Sequence, residues 1–246
     1  MQYGSFAQLY DSLMSDVDYD AWTDYIISLI REHTDGTHVA ECACGTGAIT
    51  IRLKKSGFCV SGFDISEQML MQASEKARQA GLMIPFVQMD MRELTLHRPH
   101  DAVVCACDGV NYLTGRADLG QFFESAYSSL RHGGVLLFDI SSEYKLRKIL
   151  GANIFSHDDD TCTYIWRNMY DDKSHLLEML LTFFIPCGDG SYTRFDERHV
   201  QMAHTEQDIK AALENAGFCD VRAYSFLTRK AAAYDTERIQ FTAIRP

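Results

Sequence analysis

The sequence predicts an α/β protein with a doubly wound, seven-stranded mixed sheet and an antiparallel β insertion. From residue 37 onward, apolar segments of strand length alternate with segments whose apolar positions recur at helical spacing. Alternating βα units form parallel sheets. A Gly-rich turn at 45–47 joins the first strand to its helix, and between 141 and 204 longer extended segments replace the alternation. Together these observations predict one sheet domain that carries an insertion.

The predicted elements of the sheet domain have clear start and stop signals. Residues 19–32 form an amphipathic helix before the first strand, with apolar positions at a period of 3.6. Ser66 opens a later helix and Gly81 ends it. Thr205, followed three residues later by Asp208, is an N-cap signature. After helix 19–32, the predicted elements in chain order are strand 37–42, helix 47–56, strand 58–63, helix 66–80, strand 84–88, strand 101–106, helix 118–131, strand 134–140 and, after the insertion, helix 205–216.

The insertion and the last two strands complete the predicted topology. Strands 219–228 and 236–244 are joined too closely for a crossover helix, so they should pair antiparallel. We expect residues 1–140 and 205–246 to form the sheet domain and residues 141–204 to form a substrate lid over its carboxyl edge, where open α/β sheets bind ligands. An edge strand of this insertion could instead support a homodimer. Its predicted segments are a helical piece at 142–150 and extended stretches near 161–170, 175–186 and 191–203.

Composition favours a small-molecule substrate and argues against a nucleic-acid substrate. The 246 residues carry a formal net charge of -11, and no Lys/Arg cluster is longer than a pair, so we expect no nucleic-acid partner. No apolar run approaches the length of a membrane span, and the N-terminus does not resemble a signal peptide. The eight cysteines lie mostly in apolar strands, which suits a reducing compartment, so a cytoplasmic protein is expected. Two-residue spacing of cysteines along a strand is poor for tetrahedral zinc, and no metal site is expected.

The Gly-rich turn is the predicted cofactor site. Gly45 and Gly47 remove Cβ where a ligand would touch backbone, and the helix that follows presents free N–H groups. Asp64 ends the next strand, where a carboxylate can accept both ribose hydroxyls. Thr50 stands where the dinucleotide fingerprint has its third glycine, and Glu41 places an acid at the end of the first strand. This arrangement favours a cationic or zwitterionic ligand over an anionic one.

The turn belongs to a longer motif with a known counterpart. Residues 41–47 read Glu-Cys-Ala-Cys-Gly-Thr-Gly, which resembles the acid-x-Gly-x-Gly-x-Gly first motif of the class I S-adenosylmethionine-dependent methyltransferases, with Ala43 in place of the first glycine. The order of elements is similar to the Rossmann-like fold of that class over nearly the whole chain. The aromatic opening at 3–11, the segment 108–113 and the Glu-Arg-His stretch at 197–199 resemble a bacterial branch, the YqeM-like methyltransferases.

The resemblance implies S-adenosylmethionine as the cofactor and a set of residues around it. An acid at the end of the third strand accepts from the adenine amine in this class, and Asp90 matches it. A solvated Asp that only caps a turn is the structural alternative at that position. The implied cofactor-binding residues are Tyr3, Glu41, Ala43, Cys44, Gly45, Gly47, Asp64, Ile65, Met69, Asp90, Met91 and Cys107.

Four residues are catalytic candidates. Tyr10 lies in the aromatic opening, and Asp108 follows the fourth strand at the predicted mouth of the cleft. Glu197 and His199 alternate on one face of the last inserted strand. Their structural alternative is a solvent-facing acid and a capped or stacked histidine. A general base is needed only when the acceptor is protonated at the working pH, so its absence would not exclude activity.

Three functions compete at this stage. The favoured one is methyl transfer to an N- or O-acceptor of a small polar metabolite. A nicotinamide-dependent oxidoreductase shares the turn and the acid, but Thr50 disfavours it. The third is a non-catalytic module that binds S-adenosylmethionine as a sensor or scaffold.

Overall fold

Two β-sheets and six α-helices make up the fold described by the computed structural model, which covers residues 6–246 without the side chain of Gln8. The predicted cofactor contact of Tyr3 lies outside the described residues. The helices are α1 Phe6–Leu13, α2 Tyr19–His33, α3 Ala48–Lys55, α4 Glu67–Gln79, α5 Arg116–Ser129 and α6 Glu206–Asn215.

The larger sheet confirms the predicted mixed topology. Its strands are β1 His38–Cys42, β2 Cys59–Asp64, β3 Phe86–Gln88, β4 His100–Cys105, β5 Leu130–Ser141, β10 Cys219–Ser225 and β11 Arg238–Ile244. They lie in the order β10-β11-β5-β4-β1-β2-β3. Every neighbouring pair from β5 to β3 is parallel, whereas β11 is antiparallel to both β10 and β5. The predicted terminal hairpin is therefore present, and β11 is the strand that runs opposite to all the others in this sheet.

The insertion forms a separate antiparallel sheet with one strand more than the sequence predicted. Its strands are β6 Ile154–Asp158, β7 Thr163–Asp171, β8 Leu176–Pro186 and β9 Tyr192–Met202, in the order β6-β7-β8-β9. Strand β6 was missed because all five of its residues are exposed, so it shows no alternation between buried and exposed positions. Pairing with β7 alone holds this edge strand in place.

The helix ends follow the predicted caps. The Ser66 hydroxyl accepts the Met69 N–H at the start of α4, and the Thr205 hydroxyl accepts the Asp208 N–H at 3.0 Å at the start of α6. Such N-caps satisfy backbone donors that the helix itself leaves unpaired. Gly81 follows α4 with a positive φ of 69°, a conformation that glycine adopts without a Cβ clash. These local signals were readable from sequence because they need no tertiary context.

Two apolar layers cover the large sheet. One contains Phe122 and Phe123 of α5 against Phe138 and Phe241 of the sheet, and all four side chains are buried. The other layer is built from α2 and α3. A further cluster packs Phe6 of α1 against Met69 of α4 and against the inserted sheet. Helix α1 thereby bridges the two sheets.

Among residues 6–246, no helix combines the length and the apolar character that crossing a membrane requires.

Candidate active site

A cavity of about 980 Å³ lies at the carboxyl edge of the large sheet and extends to the inserted sheet. Its walls include residues of α1, the segments that follow β1, β2 and β4, and strand β9. Twelve of the residues singled out from the sequence line it. They are Tyr10, Ala43, Gly45, Asp64, Ile65, Met69, Asp90, Met91, Cys107, Asp108, Glu197 and His199.

The turn after β1 is shaped for close approach of a ligand to backbone. Ala43, Gly45 and Gly47 all have positive φ, at 51°, 53° and 76°. A Cβ added at Gly45 would meet no atom within 4 Å, so that position is open. A Cβ at Gly47 would lie 3.1 Å from Ala73 and from Phe86, so this glycine lies against tightly packed side chains. The two glycines therefore have different roles, and only Gly45 lines the cavity.

Glu41 is buried beneath the turn and does not line the cavity. Its carboxyl is buried and receives a hydrogen bond from the Thr50 hydroxyl. Burial raises the pKa of Glu41 to about 8. Thr50, which replaces a fingerprint glycine, is thus the partner of this buried acid. Cys44 is also buried outside the lining, where its N–H donates to the Phe63 carbonyl at 3.0 Å.

The Asp64 carboxylate fits the ribose role that the sequence suggests. Its Oδ2 accepts the Gly45 N–H and its Oδ1 accepts the Ser66 N–H, both at 2.8 Å. Burial raises the pKa of this carboxyl, and the backbone donors oppose that shift. A carboxylate offers about four lone-pair sites, so the backbone donors of Gly45, Ser66 and Ile65 leave capacity for a ribose hydroxyl. The open glycine turn and this acid are together compatible with a nucleoside that carries an amino-acid tail.

Asp90 is fixed by an arginine that sequence reasoning missed. Arg92 binds both carboxylate oxygens, with Nη2 at 2.6 Å from Oδ2, and its Nη1 lies 2.7 Å from Asp118 Oδ1. Hydrogen bonds from Arg92 hold the pKa of Asp90 below its usual value. The three residues lie on the cavity wall beside Met91. An arginine two residues after the acid was the available sequence signal, whereas its second partner follows only from the fold.

Asp108, which lines the cavity, forms the centre of a charged cluster. Its Oδ1 accepts Arg238 Nη2 and its Oδ2 accepts Gln201 Nε2, both at 2.7 Å. Its N–H donates to Asp139 Oδ2, which also binds Arg238. Burial raises the pKa of Asp108, but the charges of Arg238 and Lys145 and the hydrogen bonds lower it more, so it lies below its ordinary value. This carboxylate is consequently ionised and a weak base.

Arg238 and Gln201 were not candidates from sequence. They are 130 and 93 residues from Asp108 in the chain, and no spacing rule links such positions. Cys107 and Asp108 have positive φ values of 58° and 51°, which turn the chain sharply after β4. This turn directs the polar segment toward the cavity.

Glu197 and His199 of β9 are buried and line the cavity, so Glu197 is not a solvent-facing acid, whereas His199 does pack against aromatic rings as the structural alternative expects. The Tyr112 hydroxyl lies 3.3 Å from His199 Nδ1, and the Phe6 ring centroid lies 5.5 Å from the imidazole centroid. Burial lowers the pKa of His199 to about 4, so the imidazole is neutral near pH 7. Burial also raises the pKa of Tyr10, whose hydroxyl stays protonated.

Comparison with known proteins places this geometry in a family. A profile described as "Methyltransferase domain" matches residues 39–134. The chain is 36% identical to a protein of Geobacillus sp. (strain WCH70), with 99% of each chain covered, and 37% identical to YqeM of Bacillus subtilis (strain 168), with 99% of this chain and 97% of YqeM covered. Both relatives carry provisional methyltransferase names.

A solved structure supports the same relationship. The S-adenosylmethionine-dependent methyltransferase from Clostridium acetobutylicum ATCC 824 superposes with a TM-score of 0.87 at 35% identity over 98% of each chain. More distant relatives include a glycine/sarcosine N-methyltransferase of Aphanothece halophytica, 29% identical over 82% of this chain and 73% of its own. Another is a dTDP-3-amino-3,4,6-trideoxy-alpha-D-glucopyranose N,N-dimethyltransferase of Streptomyces venezuelae, 27% identical over 81% and 83%.

These relationships set aside the nicotinamide-dependent alternative and the non-catalytic one. The sheet order, the glycine turn with Asp64 and the full-length relatives agree with one another. The chain belongs to the class I S-adenosylmethionine-dependent methyltransferases, in the YqeM-like branch.

Proposed function

We propose that this methyltransferase methylates a small polar metabolite, at an amine nitrogen in preference to an oxygen. The observation that carries the proposal is the Glu197 carboxyl, buried beside His199 in a cavity wall that also contains the rings of Phe6, Tyr164 and Phe183. A carboxylate and aromatic faces both favour a cationic amine over a neutral hydroxyl. The named substrates of the glycine/sarcosine and amino-sugar relatives also accept methyl groups on nitrogen.

In this proposal, the turn and the strand ends hold the cofactor. Gly45 and the start of α3 lie under its amino-acid part, Asp64 accepts a ribose hydroxyl, and Asp90 with Met91 borders its adenine. S-adenosylmethionine supplies a methyl carbon on a sulfonium that is already a good leaving group. The protein has to orient the acceptor in line and exclude water, and orientation alone can supply effective molarities of ~10⁵ M or more.

His199 is the proposed group that orients the acceptor amine by a hydrogen bond, and the amine loses its ammonium proton to solvent before methyl transfer, because an imidazole with a pKa of about 4 is too weak a base to remove it. Its neutral imidazole can accept a hydrogen bond, and Tyr112 at 3.3 Å fixes the ring. Asp108 is not the proposed base, because Arg238 and Gln201 occupy its oxygens. Its role in this scheme is to hold the segment after β4 against β9 and β11.

The insertion 141–204 is proposed to act as the substrate lid. The support is that β7, β8 and β9 contribute cavity-lining side chains opposite the glycine turn. If the sheet served only dimer formation, it would not need to bury Glu197 and His199 in this cavity.

The test uses S-adenosylmethionine labelled with ¹³C at the methyl group and a fractionated pool of small metabolites. NMR of the labelled product should show the methyl carbon on nitrogen. Glu197→Gln should lower turnover while S-adenosylhomocysteine affinity stays unchanged, and Glu75→Gln, which breaks a surface pair with Arg78 away from the cavity, should leave both unchanged. A label on oxygen or carbon, or full turnover by Glu197→Gln, would contradict the amine proposal.

A further inference from the structure

One buried side chain joins the two points at which the chain leaves the large sheet for the insertion and returns from it. Asn111, in the segment that follows β4, has no exposed surface. Its Nδ2 donates to the Ser141 carbonyl at 3.0 Å and to the Met202 carbonyl at 2.9 Å, and its Oδ1 accepts the Ser141 N–H at 2.9 Å. Ser141 is the last residue of β5, and Met202 is the last residue of β9. A single amide therefore binds the backbone at both ends of the insertion.

The chemistry of this junction calls for an asparagine. The side-chain amide of asparagine carries two N–H donors and one acceptor oxygen, and Asn111 uses all three groups. Because two of its partners are carbonyls and the third is an N–H, these contacts also fix which way the amide points. Aspartate lacks the donors, and alanine lacks all three groups. The junction is thus matched to one residue type.

The junction lies next to the contact that orients His199. Tyr112 directly follows Asn111, and its hydroxyl lies 3.3 Å from His199 Nδ1. Asp108, at the start of the same segment, accepts Gln201 Nε2 at 2.7 Å. Residues 108–112 therefore run along the last part of β9 and contact it at three positions. The Asn111 contact differs from the other two because it also includes the end of β5.

We propose that Asn111 is a positioning residue for methyl transfer, which fixes the inserted sheet at the angle that holds Glu197 and His199 beside the acceptor. This inference rests on the proposed function, in which the insertion is the substrate lid, and deepens it. A rotation of the lid about the junction would leave buried donors and acceptors without partners, and such groups are normally satisfied. The three hydrogen bonds of Asn111 therefore resist that rotation.

The test follows the His199 imidazole by NMR in protein that carries ¹³C-labelled histidine and is loaded with S-adenosylhomocysteine. Burial holds the pKa of His199 at about 4, so the wild-type signal should not titrate between about pH 5 and pH 8. In Asn111→Ala we expect the lid to shift and water to reach the ring, so that the pKa rises toward 6.5 and the signal titrates in this range. The variant carries no new charge that could act on the imidazole. Affinity for S-adenosylhomocysteine should stay close to that of wild type.

Asn168→Ala is the matched control. Asn168 is also a buried asparagine, but its Nδ2 donates to the Asn153 carbonyl at 3.1 Å, which lies within the insertion. It belongs to β7, and β8 separates it from His199 on β9. A purely structural loss lowers stability without exposing His199. Asn168→Ala should therefore destabilise the protein and leave the His199 signal insensitive to pH.

Three outcomes would overturn the proposal. They are a His199 signal that does not titrate in folded Asn111→Ala, equal titration in Asn168→Ala, and loss of S-adenosylhomocysteine binding in Asn111→Ala, which would mean that the residue acts on the cofactor site. If Asn111→Ala does not fold, Asn111→Ser replaces it, and hydrogen exchange of the wild-type side-chain amides decides. The Asn111 amide hydrogens should exchange more slowly than those of the exposed Asn215, and equal rates would contradict the proposal.

These measurements need no methyl acceptor. A negative result therefore counts against the role of Asn111 alone. The product NMR with labelled S-adenosylmethionine tests the amine proposal separately, so the two failures are distinguishable.

Discussion

The Thr46 hydroxyl of the glycine turn donates a hydrogen bond to Asp11 Oδ1 of α1 at 2.6 Å. The Lys76 ammonium of α4 completes the contact, at 2.6 Å from Asp11 Oδ2 and 3.0 Å from the Thr46 hydroxyl. Helix α1 also contributes Phe6 and Tyr10 to the cavity wall. Helix α1 is thus fastened to the turn that is proposed to hold the cofactor.

Breaking this fastening should speed cofactor release. We expect Asp11→Ala to release S-adenosylhomocysteine about fivefold faster, because a charge-assisted contact at a half-exposed site contributes about 1 kcal/mol. Stopped-flow dissociation measures the rate. Asp20→Ala, which removes an exposed pair with Arg52, is the control and should leave the rate unchanged. An unaltered rate in Asp11→Ala would show that α1 does not gate the cofactor.

Ala43 and Gly109 should behave as a coupled pair. A Cβ added at Gly109 would lie 2.8 Å from the Ala43 Cβ and 2.8 Å from Cys105 Sγ, which is closer than packed carbons and sulfurs come. Gly109→Ala should therefore cost roughly 1–3 kcal/mol of unfolding free energy. Adding Ala43→Gly should recover part of that loss, because one of the two clashes disappears. Additive effects in chemical denaturation would argue against the contact.

The buried acid Glu41 should make stability fall as pH rises. Its folded pKa of about 8 lies above the ordinary value of 4.5. Below pH 4.5 both states are protonated, whereas between 4.5 and 8 only the unfolded state loses the proton, so unfolding becomes easier with rising pH.

Glu41→Gln does not titrate, so its stability relative to wild type should rise by about 1 kcal/mol or more between pH 5 and pH 8. Urea denaturation at the two pH values measures this difference. Glu93→Gln, at an exposed position, should show no such trend. A constant difference between Glu41→Gln and wild type would mean that Glu41 is ionised in the folded protein.

Arg238 should be a major determinant of stability. It is the shared cation of Asp108 and Asp139, and Arg238→Met would leave the buried Asp139 and the partly buried Asp108 without it. Removing one partner of a buried ion pair costs about 3–5 kcal/mol. Arg238→Met combined with Asp139→Asn should lose less than Arg238→Met alone. Arg222→Met, which affects an exposed pair, should cost about 1 kcal/mol or less. Equal losses in Arg238→Met and Arg222→Met would contradict the cluster.

The residues that could be predicted from sequence are those whose signal is local. The glycine turn, the Ser66 and Thr205 caps and the carboxylates at the strand ends each follow from a short pattern. Arg238 and Gln201 could not be found in this way, because their roles depend on long-range packing around Asp108. Strand β6 was missed because it is held by backbone pairing with β7 and has no buried face, so its side chains show no pattern.

The most direct test of the cofactor site is calorimetry of S-adenosylhomocysteine with Asp64→Ala and with Asp101→Ala. Asp101 is a matched control, because its buried carboxylate also accepts a backbone N–H, that of His38 at 2.8 Å, but it does not line the cavity. We expect Asp64→Ala to bind about ten- to hundredfold more weakly than wild type, since hydrogen bonds to a charged group contribute about 1.5–3 kcal/mol, and folded Asp101→Ala to bind normally. Unchanged affinity in folded Asp64→Ala would contradict the assignment of the cofactor to this edge of the sheet.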